Sequence, residues 1–303
     1  METMLNSRLW SYLTRRRPKA EAIAVKHSIL VFEYYAKVLK QALLNLPNPD
    51  RLVEYPTNIV HALSSPMIVL ESEAVAMYAN MFKELMKPVV SAEVNNLAKI
   101  IATIQRRWKR KKDITPVGPP ADIDKDELNA AIIAELERDY FIMRAVLLSS
   151  YENEQIYERI RNIIERAVRG GWTIRVTAEE IAGSIGGNYS KIRSTVIART
   201  EVNSMVNTAS YRAMRRSGVV SGKIWVAVMD QRTRDPHAAA NGQQVAINDK
   251  FLVGGEYMMF PGDPDASARN LVNCRCSMFP IISPQFVPFG TTTDNIVNDL
   301  IGD

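Results

Sequence analysis

The side chains able to do chemistry gather in the last third of the chain. The stretch from Asp230 to Val245, DQRTRDPHAAANGQQV, sets Asp230, Arg232, Arg234, Asp235 and His237 within eight residues, and NCRC follows at 273–276. Cys274 and Cys276 offer two soft ligands and His237 a third, with Asp230 or Asp235 able to complete a tetrahedral Zn²⁺ site. One residue separates the cysteines, a closer spacing than the C-x2-C of most structural zinc sites. Two other readings stay open. The cysteines can be small core residues beside a polar turn in which Asp230 pairs with Arg232 and Arg234 and Thr233 caps the loop. Alternatively, His237 can activate a cysteine nucleophile, although no oxyanion loop accompanies it. Phosphate-loop, dinucleotide, zincin and nucleophile-elbow motifs are missing, which disfavours an ATPase, a dinucleotide enzyme or a metalloprotease.

A second constellation is the basic run RRWKRKK: Arg106, Arg107, Trp108, Lys109, Arg110, Lys111 and Lys112. Cations at a helix C-terminus suit the negative end of the macrodipole. The same residues could neutralise phosphates, with the indole stacking on a base.

Positioning these groups requires a mainly helical scaffold. Apolar residues recur at helical spacing over 20–46, 66–86 and from Ser91 into the basic run, which predicts three separate helices. The Pro-rich stretch 113–127 reads as a linker. From Leu128 to Val168 the pattern predicts a long helix or a helix pair, with Ile133, Leu136, Tyr140, Met143 and Leu147 on its apolar face, stopped by Gly170 and Gly171. Thr177 with Glu180 predicts a capping box opening a short helix that Gly186 and Gly187 end. A further helix covers 190–217. After Gly218 the segment KIWVAVMD alternates Ile224, Val226 and Val228 against Trp225, Ala227 and Met229, as a strand does. The expected class is α+β: a mainly helical N-terminal two-thirds and a small mixed α+β C-terminal domain. The expected divisions are 1–120, 121–217 and 218–303.

Composition supports a globular protein. Of 303 residues, 47% are hydrophobic and 23% charged, and the net charge is +5. That modest basic balance is compatible with a polyanionic neighbour. The longest apolar runs fall short of the ~18–20 residues a membrane span needs, and the N-terminus lacks the order of a secretory signal. Two cysteines so close together suit a reducing compartment.

The ordered segments IARTEVNSMVNTASYRAMRRSGV, KIWVAVMDQRTRDPHAAANGQQV and FPGDPDASARNLVNCRC resemble the phage Mu F-like family of minor head proteins over residues 175–280. The matching positions are Arg199, Thr200, Glu201, Trp225, Asp230, Arg232, Thr233, Arg234, His237, Gly242, Pro261, Asn273, Cys274, Arg275 and Cys276. The resemblance implies a head-morphogenesis protein of a tailed phage, inside the procapsid near the portal and assembled in the host cytoplasm. Implied partners are the portal protein, capsid or scaffold proteins and non-specific genomic dsDNA, with no membrane. It carries over motif membership and no catalytic role, and it raises the standing of residues 106–112 as a phosphate contact. The competing expectation is a zinc-dependent hydrolase or nucleotide-modifying enzyme built on Glu201, Asp230, His237 and the cysteines.

Overall fold

The structure is a computed structural model that describes residues 2–50, 53, 56–111 and 118–301. It is α+β, as expected. Helices α1 (Glu2–Thr14), α2 (Arg17–Leu44), α3 (Pro56–Lys111), α4 (Lys125–Leu136), α5 (Ile142–Gly170), α6 (Ile174–Ile185) and α7 (Gly187–Arg216) precede the strands. Then come β1 (Val220–Val226), α8 (Asp235–Ala239), β2 (Gln244–Ala246), β3 (Phe251–Val253), β4 (Glu256–Met258), α9 (Ala268–Leu271), β5 (Ser277–Ile282) and α10 (Thr293–Ile301). The chain forms two compact units, each discontinuous in sequence. One gathers Met1–Glu21, Met86–Glu135 and Arg199–Asp303; the other gathers Ala22–Leu85 and Leu136–Ala198.

Two of the three helices expected in the first third are one. Helix α3 runs unbroken through Pro66 and Pro88. A proline in a helix interior removes a backbone hydrogen bond and clashes with the preceding turn. The buried stripe nevertheless continues across Pro88, with Met81, Phe82, Leu85 and Met86 before it and Val89, Val90, Val94 and Leu97 after it. Packing on both sides outweighs the local penalty. Continuity gives α3 one stretch that is long and apolar enough, by length and composition, to cross a membrane. Its buried side chains, Met67, Leu70, Ala74, Tyr78 and Met81, recur every three or four residues, the signature of a helix with one core face.

In the second unit, a π-helical turn at Glu137–Phe141 leads into α5. Tyr140 and Phe141 are both buried, each with its ring 6.1 Å from that of Phe82. The extra residue in that turn rotates everything after it. Met143 and Leu147, expected on the core side, are 52% and 50% exposed, while Ala145 and Leu148 take the interior. Gly171 ends α5 in the left-handed region at φ 61°, its N–H returning to the carbonyls of Ala167 and Val168. The N-cap of α6 is Thr173, whose hydroxyl accepts from the Val176 N–H. Thr177, expected to cap, lies one turn inside the helix and donates to the Thr173 carbonyl.

The C-terminal part of the first unit carries a three-stranded antiparallel sheet in the order β2-β1-β5 and a separate β3-β4 hairpin. Strand β1 is central, with Trp225 opposite Met278 and Lys223 opposite Pro280 on β5. Its adjacent residues Trp225 and Val226, which point to opposite faces, are both buried, so both faces are covered at that end. The strict alternation of a half-exposed strand does not hold, and β1 ends before Ala227. Gly254 and Gly255, at φ 59° and 85°, close the β3-β4 hairpin in a turn that needs positive φ at both central residues. Trp225, Ala227, Phe251, Val253, Met258, Cys274 and Cys276 share one core cluster.

Candidate functional site

Each side chain of the candidate site is placed by a short element of this small domain. His237 sits on α8, which Pro236 helps to start in its first turn. The cysteines flank Arg275 between α9 and β5. Asn273 adopts φ 54°, a left-handed conformation that Asn tolerates better than most residues, and turns the chain so that Cys274 faces inward. Its N–H donates to the Thr200 hydroxyl at 3.0 Å, tying the turn to α7. Asn207 on α7 donates to the Cys276 carbonyl at 3.1 Å.

The three ligand atoms converge. His237 Nδ1 lies 3.7 Å from Cys274 Sγ and 3.5 Å from Cys276 Sγ, and all three residues are buried. The ligand atoms lie within 4.8 Å of one another. Two ligands on a tetrahedral zinc with usual Zn–N and Zn–S bonds stand about 3.5 Å apart, so the observed N-to-S separations suit a shared ion. Nε2 of His237 faces Asn270 Oδ1 at 3.2 Å, and Asn270 in turn donates to the Val253 carbonyl at 3.2 Å. That second bond orients the amide with its oxygen toward the imidazole. Nε2 then carries the proton, leaving the Nδ1 lone pair directed at the sulfurs. A hydrogen bond from Cys276 holds the Cys274 thiol well below its usual range, with His237 adding to the effect against burial. The same bond and burial push Cys276 up.

Among the described residues no fourth His, Cys, Asp or Glu joins this group. Asp230 is committed elsewhere. Its oxygens accept from Arg275 at 2.6 and 2.5 Å, from the Arg232 N–H at 3.0 Å and from the Thr233 hydroxyl at 3.1 Å. The Arg275 hydrogen bond, helped by those of Arg232 and Thr233, holds the Asp230 carboxyl far below the ordinary carboxylate range. Asp235 is exposed on the first turn of α8. Neither aspartate supplies the fourth ligand considered for it.

The remaining motif residues divide by role. Trp225 packs edge-on against His237, ring centroids 5.7 Å apart, and against Phe251 at 5.3 Å. Gly242 turns the chain at φ 80° and its N–H donates to the Trp225 carbonyl at 2.9 Å. Arg234 donates to the Val272 carbonyl. Gly262, beside Pro261, lies so close to α7 that a Cβ there would stand 2.8 Å from Asn203 Nδ2. Glu201 is buried on α7.

The basic run splits. Trp108 is buried and its indole N–H donates to the Phe286 carbonyl at 2.8 Å, so it cannot stack on a base. Arg107 pairs with Asp299 at 2.6 Å and donates to the Asn295 carbonyl at 2.8 Å. Arg106 reaches Thr103, while Lys109 and Arg110 are exposed. The side chain of Lys111 and all of Lys112 lie outside the described residues.

Residues 158–279 match the family model described as phage Mu protein F like protein. That segment is phage Mu F-like. The family is, at family level, one of phage head morphogenesis, with a virion or capsid association. Among curated relatives, an uncharacterized Bacillus subtilis protein, YqbB, is 24% identical over 43% of this chain and 44% of its own length. An NAD(+)–arginine ADP-ribosyltransferase of Enterococcus faecalis, EFV, is 28% identical over 28% of this chain and 18% of its own. An uncharacterized Haemophilus influenzae protein is 27% identical over 42% and 26%. The chain thus spans less than half the length of each of these relatives. No solved structure matches it.

Several residues central to this Mu F-like site escape a sequence reading. Asn203 and Asn207 stand at i and i+4 on α7, a polar pair inside a buried face, and that spacing was the available signal. Asn270 carries none beyond its nearness to NCRC. Arg17, buried at the start of α2, comes from the far end of the chain.

Proposed function

We propose that this protein is a minor head protein that acts in procapsid assembly in the host cytoplasm, bound to the portal on the capsid interior and exposed there to packaged dsDNA. The observation that carries this reading is the family match over 158–279, supported by a polar constellation that serves architecture. Asp230 bonds Arg275, Thr233 and the Arg232 N–H, while Arg234, Thr200 and Asn207 bond the backbone of Val272, Asn273 and Cys276. We further propose Zn²⁺ as the cofactor, held by His237, Cys274 and Cys276. Zinc there would link α8 to the turn before β5, cross-linking a domain of short elements that closes little core by itself. Glu201 is not among the side chains lining the cavity beside this site, which speaks against its serving there as the acid of a zinc hydrolase.

Co-expression with the portal protein of the same phage, followed by sedimentation, tests the portal assignment. The two chains should comigrate. Glutamates at Ile68 and Val69, apolar residues of α3 that are 70% and 53% exposed, should release the protein if its helical region makes the contact. Separate sedimentation of the wild-type chains overturns the assignment. DNA exposure is tested by salt: reversing Lys109 and Arg110 should flatten the salt dependence of non-specific DNA binding, and an unchanged slope returns them to a solvated surface.

A further inference from the structure

Within the first unit, a half-open cavity of about 610 Å³ lies between α1, the start of α2, the first turn of this unit's part of α7 and the loops around Arg232 and Asn273. Six arginines line it: Arg15, Arg17, Arg199, Arg232, Arg234 and Arg275. Acidic compensation is sparse. Glu21 stands among the lining residues, and Asp230 engages Arg275 at 2.5 Å and Arg232 only at 3.8 Å. Like charges gathered in a partly enclosed space raise the local positive potential and favour a multiply charged anion.

Arg17 lies in the wall of this cavity. It is 7% exposed, and Nη1 donates to Asn203 Oδ1 and, at 3.3 Å, to the Arg275 carbonyl. Its Nε and Nη2 have no acceptor among the described residues. Leaving charged donors buried and unsatisfied is costly, and such groups in a cavity wall call for an acceptor. Burial pushes the neighbouring Glu93 carboxyl up, against the pull of Arg17.

We propose that this arginine cleft binds phosphoryl groups, presented as consecutive phosphates of a nucleic-acid strand or as the phosphates of a free nucleotide. Guanidinium forks match phosphate oxygens in bidentate geometry. A lone carboxylate would neutralise one of the six arginines, whereas two or more linked phosphates spread charge across several. The volume falls within the usual range for small-ligand sites. The site stands on its own geometry and does not depend on portal binding; a protein that fails to comigrate with the portal could still bind phosphate here.

The test uses the full chain with inorganic pyrophosphate and with a short DNA duplex, by calorimetry and by competition. Arg15 and Arg199 are exposed, so R15E and R199E spare the core. Together they should weaken pyrophosphate binding by about a hundredfold, roughly tenfold per guanidinium. R161E, on the exposed face of α5, should leave it unchanged. Pyrophosphate displacing duplex from the wild type, with duplex binding also lost in R15E/R199E, assigns the cleft to a nucleic-acid backbone. Pyrophosphate binding that falls in that variant while duplex binding does not assigns it to a free nucleotide. Wild-type protein that binds neither, or affinity for both that is indifferent to R15E/R199E, overturns the proposal.

Discussion

At the scale of single residues, the His237–Cys274–Cys276 group depends on an amide that touches no sulfur. Asn270 holds the imidazole with Nδ1 toward the thiols, and partners of this kind typically govern metal affinity by ten- to a hundredfold. Asn270→Ala should therefore lower zinc affinity by at least about tenfold, measured by competition with a chromogenic chelator, while Asn270→Asp restores most of it. Equal affinity in all three proteins would mean that the imidazole is oriented by packing against Trp225 instead. Asp230 supports a pH prediction. Its folded pKa is depressed, so its contribution is fully present above the unfolded carboxylate value, about 4, and is lost progressively as pH falls from there through the depressed folded value. Asp230→Asn should be less stable than wild type at pH 7 and nearly equal to it in acid, by urea titration at each pH. The pair is partly open to solvent, which keeps the difference modest.

At the scale of elements, the π-turn at Glu137–Phe141 decides which face of α5 points inward. Periodicity read through that turn assigns Leu147 to the core; the inserted residue sends it outward and turns Leu148 inward. Leu148→Ala should cost roughly 2–5 kcal/mol and Leu147→Ala within about 0.5 kcal/mol in chemical denaturation. The reverse order would show that the helix is regular in solution. Helix ends were more legible, because their causes are local: the stop at Gly171 follows from its left-handed backbone, and the start of α6 missed only by choosing Thr177 over Thr173. The break expected before Pro88 was wrong because a proline signals a local cost and cannot report the buried stripe that overrides it. Lys223 is the analogous case in β1. A lysine signals a cost of burial, yet this one is fully buried, donates to the Ile247 carbonyl at 2.9 Å and has its pKa lowered to about 8 by burial.

At the scale of the molecule, the first unit is assembled from three separated stretches, and its two ends meet. Trp10 on α1 donates to the Arg275 carbonyl at 2.8 Å, and Arg8 reaches the Ile301 carbonyl at 3.0 Å. Helix α1 thus braces the loop that carries both cysteines. Trp10→Ala should lower the stability of this unit by roughly 2–4 kcal/mol and speed amide exchange at 273–276, read by hydrogen exchange with mass spectrometry. Unchanged exchange there would make α1 a passive neighbour. Read alone, the sequence determined the α+β class, most helix spans in the second half and the motif set from Arg199 to Cys276, because periodicity, caps and closely spaced chemical groups are local. Only the tertiary structure decided that His237 meets the two cysteines, that Asp230 serves Arg275 and not a metal, and that Trp108 is core. It alone brought Arg17 beside Arg199, Arg232 and Arg275. Those outcomes depend on contacts between residues tens to hundreds of positions apart, where the competition among partners for each carboxylate and each buried site is resolved by packing, which no local pattern encodes.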